Sequence, residues 1–351
     1  MARKVKRKSA PSATVAGKIG PAVEHESGLP VVVIGAGPCG LAAAVAIQQL
    51  GIPVLVFDRG CVASSIASYP YYMTFFSTAD KIAIAGLPFP LATDKPTRRE
   101  ALAYYRMVVS HFGLDVHQYE PVVHVWRRNG EFVVHSRPLG GDVVETRARA
   151  IVVSSGYFGT PNPLGVPGED LPHVTHLFRE GHEAFQREAI VVGGGNSAAE
   201  AALDLWRHGA KTTLVHFGPS FDKNIKPWVL PDLQNRLKDG SIGVRWNTRV
   251  TAIEAGRVHL EGKDGPGILP AQHVYLMTGF TPSTELLSSL GVEVDAATGI
   301  PAHEARSMET NVPGVFIAGV LASGFDANKV FIENGRGHGV LIARALGGGV
   351  V

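Results

Sequence analysis

Residues 31–60 read VVVIGAGPCGLAAAVAIQQLGIPVLVFDRG. The opening run Val31–Ile34 is short and wholly apolar, the pattern of a strand buried on both faces of a parallel sheet. It runs into Gly35-Ala36-Gly37-Pro38-Cys39-Gly40, a G-x-G-x-x-G turn. A helix over 41–50 and a second strand over 54–57 are predicted to follow. Asp58 closes the unit at about the 20-residue spacing at which an acid meets a ribose. Each glycine serves a separate physical need. Gly35 allows the tight turn, Gly37 lets backbone approach a pyrophosphate, and Gly40 lets helix and strand pack closely. The helix N-terminus offers unpaired N–H groups to phosphate, and Asp58 can accept hydrogen bonds from ribose hydroxyls. A plain strand-to-helix turn would not need that acid, so the stretch predicts a nucleotide site.

At 351 residues the chain is long enough for two domains with separate cores. Its apolar share of 45% and charged share of 18% are those of an ordinary globular protein. No apolar run approaches a membrane span, and the N-terminus lacks the apolar region of a secretory signal. Two cysteines, Cys39 and Cys61, exclude a disulfide scaffold and fit a reducing cytoplasm. The 14 histidines are scattered, so no metal site is predicted. The net charge of +2 conceals a basic leader, with Arg3, Lys4, Lys6, Arg7, Lys8 and Lys18 against Glu24 and Glu26. Residues 1–29 are expected to be a disordered tail. The remaining body has no basic excess, so nucleic acid is not expected as a partner.

Further along, 69–76 is dense in aromatics (YPYYMTFF), which suits either a cover for a flat ring or plain core. An amphipathic helix is predicted over 98–111 with Thr97 as its N-cap. Strands over 122–126, 131–135 and 143–147 include a hairpin marked by Asn129-Gly130. A buried strand over 150–154 leads to Ser155-Gly156, and Pro161, Pro163 and Pro167 mark a linker. Then the first unit repeats. A strand over 189–192 enters Gly193-Gly194-Gly195-Asn196-Ser197-Ala198, a G-x-G-x-x-A turn, followed by a helix over 199–207 and a strand over 212–215. Gly193 stands in register with Gly35 and His216 with Asp58, and such internal repetition predicts two nucleotide-binding folds. The second unit has no acid at the ribose position. That absence, with Lys211, Lys223 and Lys226 near in sequence, favours NADPH over NADH. A late strand over 315–318 and a helix-like stretch over 328–339 suggest a return to the first domain, with that helix facing a flavin pyrimidine.

One turn with an acid and one without, in one chain, suggest FAD first and a nicotinamide second. At this point the chain resembles the two-dinucleotide-domain flavoprotein reductases of the low-molecular-weight thioredoxin reductase type, and within them the bacillithiol disulfide reductase branch. Besides the two glycine turns, the strings that carry this are Met73-Thr74-Phe75-Phe76-Ser77-Thr78, Lys95-Pro96-Thr97-Arg98, Leu164-Gly165-Val166-Pro167-Gly168-Glu169-Asp170-Leu171-Pro172, Trp228-Val229-Leu230-Pro231-Asp232 and Asn328-Lys329-Val330-Phe331-Ile332-Glu333-Asn334-Gly335-Arg336. The resemblance implies an α/β fold of two Rossmann-like three-layer domains, the FAD domain at 30–158 and 290–351 and the NADPH domain inserted at 159–289. It implies an FAD site of Gly35, Gly37, Pro38, Cys39, Gly40, Asp58, Arg59, Ser65, Val122, Ser155, Gly156, Gly319, Lys329 and Val330. For NADPH it implies Gly193, Gly195, Asn196, Ser197, Ala198, His216, Lys226 and Gly279. A small-molecule disulfide as substrate and a homo-oligomeric state are also expected.

Thioredoxin reductases act through a C-x-x-C pair in the nicotinamide domain, and no cysteine follows Cys61 here. The resemblance points instead to a single catalytic thiol, Cys39. Two readings of Cys39 stand. A helix N-terminus lowers a thiol pKa, but the pyrophosphate expected there opposes a thiolate; alternatively Cys39 is a small residue filling the tight position before Gly40. The expected reaction passes a hydride from NADPH to FAD and two electrons on to a disulfide, with His176, His182 and His338 as proton donors by type. Three other readings share the motifs: a flavin monooxygenase, a ferredoxin or flavodoxin reductase, and a non-catalytic redox sensor.

Overall fold

The computed structural model describes residues 28–347 except 224 and 264. Nearly all of the expected basic tail, residues 1–27, lies outside the described residues. The first half of the chain forms β1 (Val31–Ile34), α1 (Pro38–Gln48), β2 (Val54–Phe57), α2 (Ser64–Ala67), α3 (Ala79–Ile82), α4 (Arg98–Phe112), β3 (Asp115–His117), β4 (Val122–Arg128), β5 (Glu131–Ser136), β6 (Val144–Ala148) and β7 (Ala150–Val153). There follow β8 (Thr160–Pro161), β9 (Val174–Thr175), β10 (Glu188–Val192), α5 (Asn196–Arg207), β11 (Lys211–Val215), α6 (Leu230–Lys238), β12 (Gly243–Arg245), β13 (Thr248–Glu254), β14 (Gly256–Gly262), β15 (Gly265–Ala271), β16 (His273–Leu276) and β17 (Phe280–Thr281). The chain ends in α7 (Glu285–Ser289), β18 (Val315–Ile317), α8 (Ile332–Gly335) and α9 (His338–Leu346).

Two five-stranded parallel sheets organise this mixed α/β chain, in the orders β18-β7-β1-β2-β3 and β12-β11-β10-β16-β9. Each carries helix on one face and a three-stranded antiparallel sheet on the other: β4-β5-β6 on the first, β13-β14-β15 on the second. The second sheet shows why the strands need apolar residues on both sides. Along β10, Ala189 and Val191 pack beneath α5 whereas Ile190 and Val192 pack against Val250, Val258 and Leu260 of the antiparallel layer. A strand has period two, so an uninterrupted apolar run fills two cores at once.

Local chemistry fixes the ends. Thr97 accepts from the Glu100 amide and Glu100 from the Thr97 amide, a complete capping box for α4. Asn129 and Gly130 both take positive φ and turn β4 into β5. The helix-like stretch predicted over 328–339 is corrected: α8 starts at Ile332 and holds four residues, and α9 begins again at His338. Arg336 and Gly337 divide them, so no continuous dipole points from that stretch.

β18 joins the first sheet beside β7, although the whole second sheet intervenes in sequence. The crossings are tied together where β8 pairs with β17, and Asn162 brackets that strap by hydrogen bonds to Thr278 and Thr281. Leu286, Leu287 and Leu290 already pack in the first core, so the chain has returned a few residues before position 290. The aromatic stretch 69–76 is split between roles. Phe75 is buried in the first core, while Phe76 stacks on Trp228 from the other half at 5.3 Å and Tyr71 N–H donates to the Arg179 carbonyl.

Candidate active site

The expected first-site residues gather at the carboxyl edge of the first sheet, where ligands of open parallel sheets sit. Gly35 follows β1 with φ +115°, and a Cβ there would lie 2.4 Å from the Ser154 carbonyl oxygen, so only glycine fits. A Cβ on Gly40 would lie 2.0 Å from the Gly35 carbonyl oxygen, which is the close helix–strand packing expected of it. The α1 N-terminus is different in kind from that of α4. Its N-cap is Gly37, no side chain caps it, and no acid occupies its first turn. The first helical bond is Leu41 N–H to the Gly37 carbonyl, which leaves the Cys39 and Gly40 amides ahead of the ladder. Nothing lies within 4 Å of where a Cβ of Gly37 or of Gly156 would sit. Open space in front of uncapped amides fits an incoming pyrophosphate.

Asp58 ends β2 as predicted, but most of its carboxylate is engaged. Oδ2 accepts from the Ala36 amide at 2.8 Å, and Oδ1 accepts from the Gly60 amide at 2.7 Å and the Ser64 hydroxyl at 3.3 Å. A carboxylate has about four lone-pair sites, so one on Oδ2 stays open to a ribose hydroxyl. Arg59 is turned toward the strap, donating to the Gly159 carbonyl. Ser65 lies in α2, Val122 opens β4, and Ser155 and Gly156 follow β7. Lys329 pairs with Asp326, and Val330 reaches Gly335.

Cys39 sits where β1, β18 and α8 converge. A Cβ on Gly319 would lie 3.1 Å from its sulfur, and one on Gly335 would lie 3.0 Å from it. The residue keeps some exposed surface, yet heavy atoms enclose the sulfur, and burial pushes the thiol up to about 12. Among the described residues no cation lowers it again. Beside it, the Gly319 amide donates to His338 Nδ1 at 3.2 Å, which places the proton of the neutral imidazole on Nε2. Burial, and then the nearby His303, push the His338 pKa down. His176 and His182 lie elsewhere, His176 paired with Glu169 and His182 in a short turn beside His208.

The second glycine turn repeats the first. Gly193 has φ +145°, and its Cβ would meet the Met277 carbonyl at 2.3 Å. Gly195 is an uncapped N-cap, with Asn196, Ser197 and Ala198 opening α5. Asn196 Oδ1 accepts from the Lys226 amide, and Lys226 Nζ pairs with Glu200 at 2.7 Å. Gly279 follows β16 and its carbonyl accepts from the Asn162 amide. His216 is 3% exposed and lies beneath the turn rather than at its mouth. Lys211 stands at the opposite end of β11, paired with Glu188, so it has no part in an edge site. Two groups at this edge escaped the sequence reading. Asp222 stands by the turn, with Oδ2 3.3 Å from a Cβ on Gly195, and Arg249 lies over the Phe217 ring. Neither has a motif spacing, because strand pairing and loop return bring them there.

Among the described residues no group of three His, Cys, Asp or Glu could hold a metal, and no helix is long and apolar enough to cross a membrane. The chain resembles known proteins over most of its length. It is 41% identical over 318 residues, 90% of this chain and 96% of the relative, to the bacilliredoxin reductase Bdr of Bacillus subtilis strain 168. The solved bacillithiol disulfide reductase Bdr of Bacillus cereus superposes with a TM-score of 0.88 at 39% identity, covering 91% of this chain and 99% of that one. Its Staphylococcus aureus counterpart gives 0.84 at 38% identity, covering 91% and 98%. The profile described as pyridine nucleotide-disulphide oxidoreductase matches residues 32–319, and with two glycine turns at two parallel sheet edges the chain belongs to that family.

Proposed function

We propose that the chain is an FAD-dependent NADPH:disulfide oxidoreductase that reduces a low-molecular-weight disulfide such as bacillithiol disulfide without a C-x-x-C pair. One observation carries this reading: the two parallel sheets of one chain each end in an uncapped glycine turn, while the cysteines stop at Cys61. In this reading both three-layer units are Rossmann-like. The first, completed by β18, is the FAD domain, and the second is an NADPH domain inserted between β7 and α7. The likeness to Bdr proteins supports the disulfide as substrate, and a reducing cytoplasm suits it.

When bound, FAD and NADPH supply hydride transfer and two-electron reduction. The chain binds, orients and handles protons. The Cys39 and Gly40 amides hold the first pyrophosphate, and the remaining Asp58 lone pair takes a ribose hydroxyl. The Ser197 and Ala198 amides hold the second pyrophosphate. His338 keeps a proton on Nε2, available to a departing thiolate. Cys39, as its thiolate, is proposed to attack one sulfur of the substrate, forming a mixed disulfide and expelling the other sulfur as a thiolate that takes up a proton. Two electrons originating from NADPH, with a second proton, then cleave the mixed disulfide to free the second thiol and restore the Cys39 thiolate, so that one NADPH and one proton yield two thiols. Burial sets the condition on that step, because the thiolate must form as substrate enters.

The deciding experiment is anaerobic. The holoenzyme is reduced with NADPH, then mixed separately with bacillithiol disulfide, glutathione disulfide, ferredoxin and oxygen. Bacillithiol disulfide is expected to restore the oxidised flavin spectrum fastest. Faster reoxidation by ferredoxin or by oxygen would replace this reading with a ferredoxin reductase or a monooxygenase.

A further inference from the structure

We infer that Arg249 selects the 2′-phosphate of NADPH at the second sheet edge. This rests on the nicotinamide reading above and adds the residue that decides between NADPH and NADH. In an NAD site the strand after the glycine turn ends in an acid, and in an NADP site an arginine nearby accommodates the extra phosphate. Here β11 runs into His216, which can be neither. Its ring is wedged so tightly that a Cβ on Gly194 would lie 2.3 Å from it and one on Gly218 2.7 Å. Burial holds this imidazole neutral. The next residue, Phe217, turns outward and is 61% exposed.

Backbone pairing brings the cation to this point. The His216 amide donates to the Arg245 carbonyl at 2.9 Å, the Thr248 amide to the His216 carbonyl at 3.0 Å, and the Asn247 amide to the Gly218 carbonyl at 2.9 Å. Segment 245–248 therefore runs back along the ribose position. It delivers Arg249 with its guanidinium carbon 4.8 Å from the Phe217 centroid. The aromatic face pre-orients a planar fork whose donors match phosphate oxygens. Arg249 is exposed and has no carboxylate partner among the described residues, and Arg245 bonds the Val244 carbonyl of its own strand. Among the other charges near this edge, Lys223 is exposed and has no ion pair among the described residues, and Glu261 lies opposite Arg249 in the β13–β14 register without an ion pair to it. Lys226 is paired with Glu200, and Asp222 stands on the glycine-turn side, 4.0 Å from His216 Nε2. A cation without a carboxylate partner, fixed on an exposed aromatic face one residue beyond the ribose position, fits a second phosphate on that ribose.

The test measures binding rather than turnover. FAD-loaded protein is titrated by calorimetry with adenosine 2′,5′-bisphosphate and with AMP. Wild type is expected to prefer the bisphosphate by about tenfold or more, the scale of one charge-assisted contact. Arg249→Leu should erase the preference by weakening the bisphosphate alone, and Arg249→Lys should keep part of it. Flavin absorbance and melting temperature check that each variant folds, and Arg249→Gln replaces any that does not. A preference that survives in the leucine and glutamine variants overturns the assignment while leaving the nicotinamide reading intact. Wild type that binds neither nucleotide, and is reduced by neither NADPH nor NADH, overturns both.

Discussion

At the residue scale, Cys39 is where local rule and environment part. Position N2 of a helix, read alone, promises a thiol of lowered pKa. The packing of Gly319 and Gly335 against the sulfur does the opposite, and burial pushes the thiol up to about 12, so the resting residue is a neutral thiol at pH 7. A nucleophile in that state has a signature. Disulfide turnover should rise with pH by about tenfold per unit above neutrality, until another step limits. Cys39→Ser, which keeps the volume, should lower disulfide turnover far more than NADPH-dependent flavin reduction. Equal disulfide turnover in serine variant and wild type would make Cys39 a packing residue. Asp58 shows a related divergence. Its type and spacing were legible, but its bonds to the Ala36 and Gly60 amides were not, because they depend on how closely the turn closes. Arg249 was illegible for a topological reason: it reaches Phe217 through the alignment of β13's entry with the end of β11.

At the scale of elements, the sequence carried most where one segment specifies itself. The Thr97 N-cap of α4, the Asn129-Gly130 hairpin and the doubly buried strands all depend on near neighbours and appear where they were expected. The late helix fails for the complementary reason. Residues 328–339 have helical spacing, yet Gly335 packs on Cys39 and Gly337 caps α9, so tertiary contact breaks what periodicity joins. The α1–α9 pair shows how tightly that contact is set. A Cβ on Gly339 would lie 2.7 Å from both the Cα and the amide nitrogen of Ala43, backbone atoms that no rotamer change can clear. Gly339→Ala forces the helices apart and is expected to destabilise by about 1–3 kcal/mol, as overpacking does. Because α1 is also proposed to present its amides to FAD, the flavin should dissociate from this variant at a lower temperature than from wild type. An unchanged flavin-release temperature would show that α9 can move without disturbing α1.

On the scale of the whole molecule, the repeat of strand, glycine turn, helix and strand announced two similar units, and two parallel sheets with the same layer order are found. The chain's return to the first sheet was legible in outline. Its position was not, since α7 has too few residues for a periodic signal and is located by Leu286 and Leu287 entering the first core. Building two apolar cores from one chain has an electrostatic consequence, because histidines of both halves are buried or partly buried. Burial pushes His216 and His273 in the second unit and His338 in the first below the ordinary value of 6.5. The unfolded chain then binds more protons than the native one while pH lies between the native values and about 6.5. Stability rises with pH in that window, so these groups contribute fully above about 6.5 and lose their contribution as pH falls through the native pKa values. The melting temperature of the holoprotein should therefore drop between pH 7.5 and 5.5, above the range where ordinary carboxylates titrate. His216 gives the sharpest control, since its Nδ1 is buried without a partner among the described residues and its burial outweighs the opposing pull of Asp222, 4.0 Å from Nε2. In His216→Asn the drop should be smaller than in wild type. A drop of the same size would place the acid sensitivity in groups other than this buried imidazole.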